Sequence, residues 1–246
     1  MWLSQRIAVV IPAYREARLI GRTLSSLPAF VDAVFVVDDA SDDATIARAN
    51  AVGDVRVRCL RHTENRGVGA AIVTGYRAAL ADGADVIAVM AGDNQMDPAD
   101  LEQLIAPVAA GAFDYVKGNR FVHAEAQRMP VVRRLAGRIL SLATRAASGL
   151  DVDDCQCGYT ALSAAAAREL PLDELWPRFG YPNDLLVMLA ARGLRVSEVA
   201  VRPVYADETS GIRPWHGALV LALIARRAYL ERERLNIWAS RRATSL

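Results

Sequence analysis

The first hundred residues hold four short runs dominated by apolar and β-branched side chains, Ile7–Ile11, Ala33–Val37, Val55–Leu60 and Val86–Met90, and no other feature constrains the fold as tightly. Their hydrophobicity, taken together, reads as strands covered on both faces. Between them, Ala17–Leu27, Asp42–Ala51 and Gly67–Leu80 have helical composition. The order βαβαβαβ predicts an α/β fold with a mainly parallel central sheet, flanked by helices and wound with right-handed crossovers. In such sheets ligands bind beyond the carboxyl ends of the strands.

Each of those ends carries a polar or glycine-rich segment: Pro12-Ala-Tyr14-Arg-Glu16, Asp38-Asp39-Ala-Ser41, Asn65-Arg-Gly67-Val-Gly69 and Ala91-Gly92-Asp93-Asn-Gln95-Met-Asp97-Pro98. One polar loop is unremarkable, but four along one sheet edge predict a site. Hard oxygen ligands at a strand end are what Mg²⁺ or Mn²⁺ would need. Asp93 is the best metal-ligand candidate, with Gln95 beside it. Asp97 fits better as the cap of the helix that Pro98 opens.

The second half is less regular. It reads as a strand at Phe113–Lys117, a helix from Pro130 to about Ser148, a turn-rich stretch at Asp151–Tyr159, a helix over Pro182–Ala191, a strand at Arg195–Val201 and a final helix over about Pro214–Trp238. One domain is expected over residues 1–212, with a nucleotide-binding half at 1–100 and an acceptor half at 101–212, followed by a C-terminal helix and tail at 213–246.

Composition mainly excludes. With 53% apolar and 23% charged residues and a net charge of +1, the chain is an ordinary folded protein without the field that recruits nucleic acid. Cys59, Cys155 and Cys157 are too few for a disulfide framework and lack zinc-site spacing, which fits a reducing cytoplasm. His62, His123 and His216 make no metal-ligand spacing and are assigned no catalytic part. No secretion signal is read at the start. The longest apolar run, residues 217–225, is about half of the roughly 20 residues needed to cross a bilayer. An NAD-dependent oxidoreductase is disfavoured because its glycine fingerprint belongs in the turn after the first strand, and that turn, Pro12–Glu16, contains no glycine.

Val10–Glu16 (Val-Ile-Pro-Ala-Tyr-Arg-Glu), Val36–Ser41 (Val-Val-Asp-Asp-Ala-Ser) and Gly92–Pro98 (Gly-Asp-Asn-Gln-Met-Asp-Pro) resemble family 2 glycosyltransferases of the GT-A fold, above all the dolichyl- and polyprenyl-phosphate sugar synthases. The resemblance covers roughly residues 6–212 and is strongest through Arg120. It implies inverting transfer of one sugar from a UDP- or GDP-sugar, with Mg²⁺ or Mn²⁺, to polyprenyl phosphate at the cytoplasmic face of a membrane, where the protein would be peripheral. By the same resemblance Pro12, Tyr14, Glu16, Asp38 or Asp39, Gly67, Gly92 and Asp93 would bind the nucleotide, and Asp93 and Gln95 the metal. The family's Asp-x-Asp begins where this chain has Ala91, so one of its two acidic residues is missing.

Gly118-Asn-Arg120-Phe121 resembles the family's phosphate-facing segment, and Arg suits that task through its planar fork. Gln156 and Arg202 lie in segments that resemble acceptor-side motifs. Ser210 and Arg213 fall in one that resembles a lid closing over sugar and phosphates. The catalytic candidates are thus Asp93, Arg120, Arg202 and Asp184, which fits either a general base or a helix start, as does Asp154. A hydroxyl acceptor needs such a base, whereas a lipid monophosphate, with second pKa of about 6, is already an anionic nucleophile near neutral pH. A soluble enzyme acting on a hydroxyl and a nucleotide-sugar binder without turnover are the alternatives.

The helix after Pro130 bears on that choice. Val132, Leu135, Ile139, Leu142 and Ala146 recur at steps of three and four, and Arg134, Arg138 and Arg145 line a second face. The pattern fits an anionic membrane surface or a lipid-phosphate headgroup, and equally a surface helix whose stripe packs on the core. For the final helix, docking on the core or homodimerisation ranks ahead of lying on a membrane.

Overall fold

The computed structural model describes residue 2, residues 4–204 and residues 214–243. In chain order the elements are β1 (Ile7–Ala13), α1 (Ile20–Ser25), β2 (Ala33–Asp38), α2 (Thr45–Asn50), β3 (Val57–Arg61), α3 (Val68–Ala81), β4 (Val86–Val89), α4 (Leu101–Ala109), β5 (Tyr115–Asn119), α5 (Val131–Ser148), β6 (Thr160–Ser163), α6 (Ala164–Glu169), α7 (Tyr181–Ala191), β7 (Val196–Ala200) and α8 (Pro214–Ala243). The strands form one sheet of seven in the order β3-β2-β1-β4-β6-β5-β7. β1 pairs in parallel with β2 and β4, β2 with β3, and β5 with β7, whereas β6 runs antiparallel to β4 and β5. The mainly parallel sheet of the sequence reading is therefore present, with one reversed strand that the sequence did not announce.

The strand escaped the sequence reading for a local reason. β6 is only four residues long and runs straight into α6, whose first turn is capped by Ser163 accepting from the Ala166 N–H at 3.1 Å. So short a segment between turns carries no readable period. Elsewhere the expected elements shorten at their starts. The Ala17–Leu27 helix begins at Ile20, because the N–H groups of Leu19 and Ile20 first close a turn on the Glu16 carbonyl. The Val55–Leu60 strand begins at Val57, after an Asp54 turn that leaves Val55 96% exposed.

One core layer lies on each face of the sheet. β1, β2 and β4 are buried along almost their whole length, which is why they read as unbroken apolar runs. α3 crosses β1 so closely that a Cβ on Gly75 would sit 2.2 Å from Val10 Cγ1.

Helix α5 settles one alternative left open by its sequence. Val132, Leu135, Ile139 and Leu142 are 81%, 59%, 52% and 69% exposed, so the apolar stripe points to solvent. The inward face is Gly137, Leu140, Ser141 and Thr144. α8 docks on the core through Val220, Leu223 and Ile224, beside α5 and α7. No helix among the described residues is long and apolar enough to cross a membrane. The division expected at residues 212/213 lies outside the described residues.

Candidate active site

The loops after β1, β2, β3 and β4 open onto one cleft of about 510 Å³, lined by Pro12, Tyr14, Glu16, Asp39, Gly67, Gly92 and Asp93. Three of these loops hold a non-glycine residue with left-handed backbone: Arg15 (φ 60°), Ala40 (φ 62°) and Asn94 (φ 57°). Such conformations cost free energy, most clearly for Ala40, which has no polar side chain to compensate, and they persist where the surroundings dictate the loop's shape. Here the surroundings are hydrogen bonds. Arg15 N donates to Ser41 Oγ, Glu16 N to Thr45 Oγ1, and the Thr23 hydroxyl to the Gly92 carbonyl.

The two adjacent aspartates part company. Asp39 lines the cleft while its carboxylate accepts from the backbone N–H groups of Arg66 (2.9 Å) and Gly67 (2.7 Å) and meets His62 Nδ1 at 2.7 Å. His62 is buried and holds Thr74 Oγ1 at 2.9 Å through its other nitrogen, so it orients Asp39 without facing the cleft. Asp38 is fully buried, accepts from Ser41 N and pairs with Arg61 Nε at 3.2 Å, so it stands behind the loop rather than in the cleft. Gly67 combines φ of 99° with a Cβ position 2.5 Å from the Pro177 carbonyl, so it is glycine to admit the 176–179 segment as well as to line the cleft.

That segment roofs the cleft with Trp176, Arg178 and Phe179, joined by His216 and Leu219 of α8. None of these was identified as part of a site from the sequence, because they lie far along the chain from the strand-end loops and follow no local pattern. Phe179 and His216 touch, ring centroids 5.4 Å apart.

Asp93 is the hinge between two cavities. Its Oδ1 accepts from Gln95 N at 3.0 Å, folding the loop back on itself. Burial pushes its carboxyl up from the ordinary value, against its backbone contacts and the charge of Arg133 on α5. A carboxylate so placed gains from a nearby cation. Asp93 and Gln95 also line a smaller cavity of about 50 Å³ with Arg120, Gly158, Tyr159 and Arg202. Asp97 caps the following turn through Ala99 N at 3.0 Å, as read from the sequence.

Of the residues expected on the acceptor side, both Arg120 and Arg202 are held by carboxylates. The Arg120 fork closes on Asp154, Nε to Oδ2 at 2.7 Å and Nη2 to Oδ1 at 2.9 Å, and Asp154 is fully buried. Burial alone would raise the Asp154 carboxyl, but Arg120 and Lys117 outweigh it and hold it below the ordinary value. Lys117, the only lysine, reaches the carbonyls of Asp154 and Cys157 at 2.5 and 3.0 Å. Arg202 lies 3.1 Å from Glu125 and 3.5 Å from Asp97. Gln156 donates to Asn183 and lines a third cavity with Asp93. Arg138 lines a separate surface cavity with Phe121, Leu142 and Arg145, and Arg134 is half-buried on α5. Ser210 and Arg213 lie outside the described residues.

Asp184 lines none of these cavities. It is 1% exposed, its two oxygens bind Arg227 at 2.7 and 3.0 Å, and Oδ2 also accepts from Trp176 N at 2.8 Å. In this position it ties α7, the roof segment and α8 together, and neither oxygen is presented to the cleft.

The family described as Glycosyl transferase family 2 matches residues 8–170. An undecaprenyl-phosphate mannosyltransferase from Micrococcus luteus is 33% identical over 221 residues, covering 87% of this chain and 89% of that one. A UDP-N-acetylglucosamine–dolichyl-phosphate N-acetylglucosaminyltransferase from Methanococcus voltae is 28% identical over 217 residues, covering 82% and 86%. In fold, the crystal structure of glucosyl-3-phosphoglycerate synthase from Mycobacterium tuberculosis with Mn²⁺, UDP-glucose and phosphoglyceric acid superposes with a TM-score of 0.70 at 24% identity, covering 92% of this chain and 80% of that one.

Proposed function

Because the chain belongs to glycosyl transferase family 2, with the GT-A fold and the activity class of a glycosyltransferase, we propose that it moves a hexose-type sugar, with inversion, from a UDP- or GDP-sugar to polyprenyl phosphate at the cytoplasmic face of a membrane. The observation that carries this reading is the pairing of cavities at Asp93: a cleft lined by strand-end residues on one side, and a small basic cavity on the other.

The donor's nucleoside would lie over Pro12, Tyr14 and Asp39, whose carboxylate is fixed by His62 and the Arg66 and Gly67 N–H groups. Its diphosphate would reach Gly92 and Asp93. Mg²⁺ or Mn²⁺ on Asp93 and Gln95 would neutralise the leaving diphosphate. The protein supplies two oxygen donors there, and diphosphate and water would complete the shell. Ala91 removes the second acidic ligand of the family pattern, so metal affinity would lean more heavily on the bound nucleotide.

The acceptor cavity favours a phosphate over a hydroxyl. Among the described residues it is lined by Arg120 and Arg202, each also paired with a carboxylate outside it, and by the carboxylate of Asp93. A hydroxyl nucleophile would need a further carboxylate as base, and Asp154 and Asp184 are both buried in arginine forks. A lipid monophosphate needs cationic partners instead, and the names of the Micrococcus luteus and Methanococcus voltae relatives support that class.

The test is mass-spectrometric detection of product after mixing the protein and Mn²⁺ with UDP- and GDP-sugars and a short-chain polyprenyl phosphate. A sugar-phosphoryl-lipid is expected, and Asp93→Ala should lower its rate by about 10²–10³-fold, the cost of losing one transition-state charge partner. Turnover of the nucleotide sugar only when a hydroxyl acceptor is supplied would replace this reading.

A further inference from the structure

We propose that α5 is the surface by which the protein docks on a lipid bilayer carrying anionic headgroups, with Val131, Val132, Leu135, Ile139 and Leu142 as the inserted face. The inference rests on the preceding reading only for the membrane as the place of work.

A helix on a water-soluble surface ordinarily turns its apolar stripe inward. α5 does the reverse. At 100° per residue its five large apolar residues fall within an arc of roughly 100°, and Gly137, Leu140, Ser141 and Thr144 lie about opposite. All five are more than half exposed, from 52% at Ile139 to 81% at Val132. The orientation is fixed by the inward face. Ser141 Oγ accepts from Cys155 N at 3.2 Å, Thr144 Oγ1 accepts from Asn183 Nδ2 at 2.8 Å, and a Cβ on Gly137 would meet the Phe121 ring at 3.0 Å. Rotating the stripe inward would break these bonds and force bulky side chains against Phe121 and α7. The stripe therefore faces outward by construction, and it is contiguous, running about 22 Å from Val131 to Ala146.

Charge selects the occupant. α5 contains no Asp or Glu, and its charges are Arg133, Arg134, Arg138 and Arg145 in a chain whose net charge is only +1. Arg133 acts on Asp93, and Arg145 is paired with Asp151 and Asp153. Arg134 and Arg138 flank the stripe on one side, where anionic headgroups would lie and attract them. A second copy docked on this face by a two-fold axis would set the same arginines against their mates. The helix also adjoins the chemistry: Arg138 and Leu142 share a cavity with Phe121, which follows Arg120.

The test is sedimentation of the full chain with vesicles of phosphatidylcholine containing one-third phosphatidylglycerol and no prenyl lipid, so that binding is read whether or not the acceptor assignment holds. Wild type should bind, and should bind far less to phosphatidylcholine alone. Leu135→Gln with Ile139→Gln and Leu142→Gln should lower the partition by about tenfold or more, since each apolar side chain inserted is worth more than 1 kcal/mol. Ala146→Leu, which lengthens the stripe, should raise the partition about threefold after subtraction of a vesicle-free control that reads aggregation. The triple variant should still glycosylate a short-chain prenyl phosphate in solution. No binding by wild type, equal binding by the triple variant, or a dimer that the triple variant dissolves would overturn the proposal. Loss of transfer to every prenyl acceptor, with vesicle binding intact, would count against the acceptor reading alone.

Discussion

Helices α3, packed on the sheet, and α5, packed on α7 and α8, obey opposite rules. α3 buries Ala70, Ala71, Ile72, Val73, Tyr76 and Ala79 against β1 and β2, and packs so closely that Gly75 leaves no room for a methyl group beside Val10. α5 buries small and polar residues and shows its large apolar ones to the outside. The contrast extends to the halves that contain them. An apolar core runs through residues 1–100 and 101–212 alike, but the second stretch adds buried ion pairs: Arg120 with Asp154, and Asp184 with Arg227 of α8. Apolar burial acts throughout, while the second stretch is also positioned by charged partners that must be present.

The largest expected effect tests that dependence directly. Asp184→Asn keeps the shape but removes the bidentate partner of buried Arg227, leaving it only the longer pairs with Glu174 and Glu231, which should cost about 3 kcal/mol in urea unfolding. An equal loss from a comparable change at exposed Arg15 or Asp42, whose pair lies in the donor half, would erase the distinction, because a surface pair is worth little. Next in size is Gly75→Ala. With Val10 Cγ1 2.2 Å from the new methyl, overpacking should destabilise by about 1–3 kcal/mol, and a neutral result would mean that α3 is not pressed on the sheet as tightly as described.

A pH series separates the halves again. The Asp154 carboxyl is lower in the folded chain than the roughly 3.9 of an unfolded one, so its stabilisation is present above that value and is lost as pH falls through the folded pKa. Between pH 6 and 3, melting temperature should drop more steeply for wild type than for Asp154→Asn, and parallel curves would show that the Arg120 fork contributes no acid sensitivity. The smallest effect is a gain. Ala40→Gly relieves a φ of 62° and should stabilise by about 0.5–1 kcal/mol, seen as a melting temperature about 1–4 °C higher. A loss instead would show that the alanine methyl makes a contact outweighing its backbone strain.

Much of the donor half was legible because its signals are local. Unbroken apolar runs mark strands buried on both faces, and the loop at each strand end follows immediately in sequence. Pro12, Tyr14, Glu16, Asp39, Gly67, Gly92 and Asp93 therefore converge once the strands lie parallel. The separation of Asp38 from Asp39 was not legible, since adjacent residues on a strand point to opposite faces and only the register decides which one meets the cleft. Nor were Trp176, Arg178 and Arg133, which join the site through packing between distant segments.

The amino-acid order by itself determined the parallel α/β sheet, the edge that carries the site, and the presence of an apolar stripe on α5. These follow from short-range periodicity, which a helix or strand expresses wherever it sits. Only the tertiary structure decided that Asp184 is a buried partner of Arg227, that Asp154 closes the fork of Arg120, and that the stripe of α5 looks outward. A period specifies which side chains share a face. Which way that face turns is set by what the opposite face can hydrogen-bond and fit against, and for α5 those partners, Cys155, Asn183 and Phe121, come from other parts of the chain.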